Sequence, residues 1–287
     1  MSLYISTTFI KNNTSLIKAL EILKEVGINS VEIGSNHIYE KNLNYINKFN
    51  FNYIVHNYFP VPKKNIILNI SSLDKNIREN SIKKIKDSII FCSRLNSKLY
   101  TFHPGFVIDP IKVSKKNFNY DFVWKIKKSN RELFNKSKFY FLKSLDKIIE
   151  FAKKYKVPIA FETEGSYYKN ELLIMQKPEE YELILNNYDK NDVGINLNIG
   201  NLNLSSNFYK FNKFDFINYI SKNIVAMELS HNDGYQDQHL PLKPKGWYWN
   251  LINNKKFKKT YKILEFRNTS KKKLINNIKL FNKKNEF

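Results

Sequence analysis

The stretch from Ile224 to Leu240 changes character halfway along. Ile224-Val-Ala-Met227 is apolar; Glu228, His231, Asp233, Asp237 and His239 then crowd around the turn residue Gly234. The same succession recurs elsewhere. His56, His103, the pair Glu162 and Glu164, the pair Asn198 and Asn201, and Glu265 each end or follow a short apolar run. Charged groups gathered in this way must be paired, solvated or bound to a metal. Carboxylates, imidazoles and amide oxygens together suit a hard or borderline divalent ion, Mn²⁺, Mg²⁺, Co²⁺ or Zn²⁺. The plainer alternative is an internal ion-pair network with Arg267 and nearby lysines.

These groups need elements to bring them together. Short apolar runs predict eight strands: Leu3 to Phe9, Ser30 to Gly34, Tyr53 to Tyr58, Lys98 to His103, Val157 to Glu162, Val193 to Ile199, Ile224 to Leu229 and Tyr261 to Phe266. Between them, helical spacing or start and stop signals predict helices at Thr14 to Val26, Lys41 to Phe49, Leu73 to Leu95, Asn130 to Tyr155, Pro178 to Asn187, Phe214 to Ser221 and Trp247 to Ile252, with a terminal helix from Ser270. Phe106 to Lys128 shows no clear period and reads as a loop insertion. Alternating strands and helices imply a parallel sheet. Eight such units in about 250 residues match an α/β chain folded as a (β/α)₈ TIM barrel, one domain over residues 1–287, whose active site lies at the C-terminal strand ends. An open doubly wound sheet would show a Gly-rich phosphate loop, and the chain has only eight glycines and no G-x-G-x-x-G.

Composition narrows the function classes. A hydrophobic share of 42% indicates a globular chain. The lone Cys92 excludes an internal disulfide and a thiolate metal cluster, and its apolar surroundings predict a buried helix residue. No run approaches the ~20 apolar residues of a membrane span. The opening Met1-Ser-Leu-Tyr-Ile5 has no secretory pattern, so a cytoplasmic protein is expected. The net charge of +22 would suit an anionic partner. Its lysines are scattered along the predicted helices, however, which fits a solvated basic surface and makes a nucleic-acid partner the weaker expectation.

Six short pieces carry a resemblance: Val31-Glu-Ile-Gly34, Phe102-His-Pro-Gly105, Ala160-Phe-Glu-Thr-Glu164, Val193-Gly-Ile-Asn-Leu-Asn-Ile-Gly200, the stretch through Asp237-Gln-His239, and Ile263-Leu-Glu-Phe-Arg267. In this order and spacing they resemble the xylose-isomerase-like barrel superfamily of sugar isomerases, ketose epimerases and apurinic-site endonucleases. The resemblance implies a metal set of Glu, Asp, His and Glu after the fifth to eighth strands. Glu162 and Glu265 match it; Asn198 stands for the aspartate, Asn201 for the histidine that follows it, Glu228 for the seventh-strand histidine, and His231 for a nearby aspartate. Either the set is rearranged as Glu162, Asn198, Glu228 (or His231) and Glu265, or metal binding is weakened or lost; the kept number of carboxylates favours rearrangement.

The implied activity is a sugar or sugar-phosphate isomerase or epimerase that forms a metal-stabilised enediolate. Glu162, Glu265 and His231 would serve in catalysis, and His56, His103, His239, Trp247 and Arg267 in substrate binding. A silent sugar-binding barrel and a metal-dependent endonuclease at damaged DNA are the alternatives. The three-zinc cluster of such endonucleases needs more histidines than the five present. Homo-oligomers are compatible with this reading.

Overall fold

A computed structural model describes residues 3–64, 66–116, 119–125, 129–165 and 172–285. Its barrel strands are β1 (Leu3–Ser6), β2 (Ser30–Ile33), β3 (Asn52–His56), β4 (Leu99–Phe102), β7 (Ile159–Glu162), β8 (Gly194–Asn198), β9 (Ile224–Leu229) and β10 (Tyr261–Leu264). They pair in parallel around a closed ring, and β1 meets both β2 and β10. The helices are α1 (Leu16–Glu25), α2 (Lys75–Arg94), α3 (Arg131–Tyr155), α4 (Glu182–Asn187), α5 (Ile199–Tyr209), α6 (Lys213–Ile220), α7 (Trp249–Ile252) and α8 (Lys271–Lys284). The expected eight-stranded barrel is the fold observed. Among the described residues, no helix is long and apolar enough to cross a membrane.

Helix boundaries follow local chemistry. Asp74 caps α2 by accepting from the backbone N–H groups of Asn76 and Ile77, and Asn130 caps α3 by accepting from Leu133. The outward faces of α2, α3 and α8 carry exposed lysines such as Lys83, Lys143, Lys147 and Lys272. Cys92 lies fully buried on α2, where burial pushes its thiol pKa up.

Two expectations are corrected. The segment read as a loop insertion contains an antiparallel hairpin, β5 (Lys112–Lys116) with β6 (Asn119–Val123). Helix α5 is absent from the sequence reading because Ile199 to Ser206 is buried throughout, so no polar face marks its period. Its start follows directly from β8: Asn198 ends the strand and accepts a hydrogen bond from the backbone N–H of Asn201.

The barrel interior has two layers. The lower is apolar, with Tyr4, Ile54, Leu99, Ala160, Ala226 and Ile263 packed in one cluster. Two residues further along, period-two alternation returns to the same face. There the side chains are Ser6, Glu32, His56, Thr101, Glu162, Asn196, Glu228 and Glu265, all buried. An apolar floor thus carries a polar layer toward the C-terminal rim.

Candidate active site

The polar layer is centred on four carboxylates. Glu162 ends β7, and its Oε1 accepts from the side-chain amides of Asn198 (2.8 Å) and Asn201 (3.1 Å). Its Oε2 is buried and accepts no hydrogen bond. Glu228, on β9, accepts from Asn196 at Oε1 (2.6 Å) and from Asn198 at Oε2 (2.9 Å). Glu32, on β2, is 1% exposed, and neither of its oxygens accepts a hydrogen bond. Burial drives all three pKa values up. Glu32 reaches about 8, with the Glu265 charge adding to burial. Glu162 rises well above the ordinary value through burial and then the Glu164 and Glu265 charges; Glu228 does so through burial and then Glu162 and Glu265.

Glu265 differs because it has a cationic neighbour. Burial would raise its pKa, but the opposing charges of His239 and Arg267 outweigh burial and hold it at about 2. His239 Nδ1 lies 3.1 Å from Glu265 and Nε2 lies 2.8 Å from Asp237, which Arg267 approaches to 3.3 Å. Burial and Arg267 oppose the charged imidazole, yet Asp237 and Glu265 prevail and lift His239 to about 9. The ring is aimed into this gap by a left-handed backbone at His239 (φ 45°), a conformation that costs a non-glycine residue roughly 1 kcal/mol or more. Part of the ion-pair network expected as the plainer alternative is therefore present, joining Arg267 and His239 to Asp237 and Glu265.

Two imidazoles in opposite charge states border the other carboxylates, His56 leaning neutral and His103 leaning charged. His56 lies 3.7 Å from both Glu162 (through Nε2) and Glu228 (through Nδ1), with Nδ1 2.9 Å from the Thr101 hydroxyl. Burial, then the His103 charge, lowers its pKa to about 3. His103 meets it edge-on and places Nδ1 2.8 Å from Glu164; burial opposes its charge, but Glu164 raises its pKa. One ligand atom each from His56, His103 and Glu162 lie within 4.8 Å of one another, and the same holds for Glu32, His56 and Glu228. The orphaned oxygens on Glu32 and Glu162 make both groups chemically fit for a divalent ion.

The expected ligand set is split by this geometry. Glu162, Asn198 and Glu228 do come together, but Asn198 turns its amide NH₂ to the two carboxylates and its oxygen to the start of α5. Glu265 stands with His239. His231 faces Tyr248, 3.5 Å away, and belongs to neither metal-competent group. Trp247 packs against Phe214 and Tyr248 with Lys213 over its ring. Glu32 lies within Val31-Glu-Ile-Gly34 and is not among the expected site residues; the signal that could single it out is an acid inside a strand otherwise apolar.

The model of a xylose isomerase-like TIM barrel matches residues 20–281. An uncharacterized protein of Methanocaldococcus jannaschii, MJ1614, is 27% identical over 276 residues, 94% of each chain. A solved D-tagatose 3-epimerase-like protein superposes with TM-score 0.75 at 18% identity, over 99% of this chain and 97% of that one. D-psicose 3-epimerase of Clostridium cellulolyticum H10, solved with D-tagatose, gives 0.67 at 12% identity over the full length of both. At these identities the two structures show a shared fold.

Proposed function

Because this chain belongs to the xylose isomerase-like TIM-barrel family, we propose that it is a sugar or sugar-phosphate isomerase or epimerase that moves a proton on carbon beside a carbonyl. The observation that carries this reading is the polar layer itself: carboxylates in opposite charge states, Glu265 held ionised and Glu162 held toward its neutral form, in one buried chamber. Environments that push two carboxyl groups apart in pKa define an acid and a base. The epimerase names of structures with the same fold agree with it.

Two groups that share His56, one with His103 and Glu162 and the other with Glu32 and Glu228, have donors that fit a divalent ion. When bound, such an ion supplies Lewis-acid polarisation of the substrate carbonyl. The residues themselves do the rest. Asn198 and Asn201 fix one Glu162 oxygen and leave Oε2 free to exchange a proton. His239 orients Glu265 as the partner carboxylate. Glu164 holds the His103 ring by Nδ1, so that Nε2 can meet a substrate hydroxyl. His231, Trp247 and Arg267 are the further candidates for substrate contact. Small-molecule sugars are the partners this chemistry serves.

The test is deuterium uptake from D₂O into a panel of ketoses and ketose phosphates, with Mn²⁺ or Co²⁺ supplied. Exchange in wild-type protein and its loss in Glu162→Gln support the reading. Metal-loaded protein that exchanges no substrate leaves the silent sugar-binding barrel in its place. Cleavage of apurinic-site DNA would favour the endonuclease.

A further inference from the structure

The two metal-competent groups share His56, and a neutral imidazole has one lone pair to give. The Thr101 hydroxyl beside Nδ1 can accept or donate, so it supports either tautomer. One ion claiming His56 must therefore sit either outward, with His103 and Glu162, or inward, with Glu32 and Glu228.

The donors are unequally free. In the outer group, His103 already holds Glu164 through Nδ1, and one Glu162 oxygen is taken by two amides. That group also brings a single carboxylate against a doubly charged ion. In the inner group, both Glu32 oxygens are without a hydrogen-bond partner at 1% exposure. Two carboxylates face each other there, and together they match the charge of the ion. Burying them unpaired costs several kcal/mol per charge, which a cation would relieve. Asn196 holds one Glu228 oxygen and Asn198 the other, and together they fix the direction of its remaining lone pairs.

We propose that this chain holds its divalent cation at the inner position, on Glu32, His56 and Glu228, within the polar layer that rests on the apolar floor. The Glu228 carboxylate makes the site, because it supplies the second negative charge opposite Glu32. A ligand set of two carboxylates and one imidazole takes Mn²⁺ or Co²⁺ in preference to soft metals. A cation here leaves Glu162 free to exchange protons, so the proposal deepens the isomerase reading while its measurement stands apart from turnover.

The test is calorimetric titration of the full, chelator-treated chain with Mn²⁺, alongside the visible absorption of added Co²⁺. Glu32→Gln and Glu228→Gln should each weaken Mn²⁺ binding by about 10–100-fold or more, whereas His103→Gln should stay near wild type. Glu32→Asp, which keeps the charge, should recover part of the affinity and covers the case in which Glu32→Gln does not fold. Wild-type affinity in folded Glu32→Gln, or no Mn²⁺ binding by wild-type protein, overturns the proposal. So does loss of binding in His103→Gln with Glu32→Gln unaffected. If Mn²⁺ binds through Glu32 but no sugar exchanges deuterium, the site stands and the isomerase reading falls.

Discussion

The side-chain nitrogen of Asn198 lies 2.9 Å from Oε2 of Glu228. The pair occupies the positions where the family resemblance calls for an aspartate and a histidine, and the two departures compensate each other. An amide that donates sits against a carboxylate that accepts. The other Asn198 contact, to Glu162 at 2.8 Å, makes one side chain the spacer between two acids. Asn198→Asp would replace that spacer with a fifth carboxylate. Metal-free Asn198→Asp should therefore melt several degrees below wild type, as expected for about 1–3 kcal/mol from a lost donor and like-charge repulsion. Pairing it with Glu228→His should restore much of the loss, since the imidazole then donates where the amide did. Thermal melts of the single and double variants check the coupling; additive losses would show that the two positions act separately.

Glu162 and Glu265 are the acids assigned to proton transfer. Glu162→Gln should lower substrate deuterium exchange by about 10²–10⁴-fold, the usual worth of a positioned general base. Glu265→Gln should do the same, and it also removes the counter-ion of His239. The two differ in stability: Glu162→Gln removes a buried carboxylate whose pKa is raised by burial and like charges, whereas Glu265→Gln removes one that is paired. Metal-free Glu162→Gln should melt no lower than wild type and Glu265→Gln clearly lower. Equal melting shifts would contradict the charge states assigned to them.

The barrel and several members of its candidate polar layer were legible from sequence because strand ends announce themselves. His56, His103, Glu162, Asn198, Glu228 and Glu265 each close an apolar run, and the closed ring brings them to the same end of the barrel. What could not be read was direction within that layer. Nothing in Asn198-Ile-Gly-Asn201 says that the amide oxygen of Asn198 will cap α5 and leave only its NH₂ for the acids. Nor does spacing tell that Asp237 and His239 reach back to Arg267 and Glu265, since that depends on the left-handed turn at His239. Glu32 was hidden for the opposite reason: inside Val31-Glu-Ile33 it looks like the polar face of a half-buried strand, whereas here that face is the barrel interior.

His239 gives the fold a pH dependence of predictable sign. Its pKa rises from 6.5 to about 9 on folding, so the stability it contributes is fully present below about 6.5 and is lost as pH rises through about 9. Glu265 is depressed from 4.5 to about 2, so its share is present above 4.5 and disappears as pH falls through 2. Between those limits the Asp237–His239–Glu265 chain is fully charged. His239→Gln should flatten the decline of melting temperature from about pH 6.5 to 9. An unchanged decline would mean that the imidazole is not the titrating group.

Glu32 supplies a second alkaline slope, and the inner cation should erase it. Its pKa is raised from 4.5 to about 8, chiefly by burial, so the folded chain holds this proton more tightly than the unfolded chain. Its contribution to stability is full below 4.5 and lost as pH rises through about 8, where an unpaired carboxylate must be carried inside the barrel. A divalent ion competes with that proton, and metal binding at carboxylates strengthens as protons leave. Mn²⁺ should therefore raise the melting temperature little near about pH 5 and substantially near about pH 8.5. The gap between metal-free and metal-loaded melting curves should widen across that interval. In Glu32→Gln the gap should close, because no proton at that position is left for Mn²⁺ to displace, while the slope owed to His239 remains. A gap that persists undiminished in Glu32→Gln would place the cation elsewhere in the polar layer.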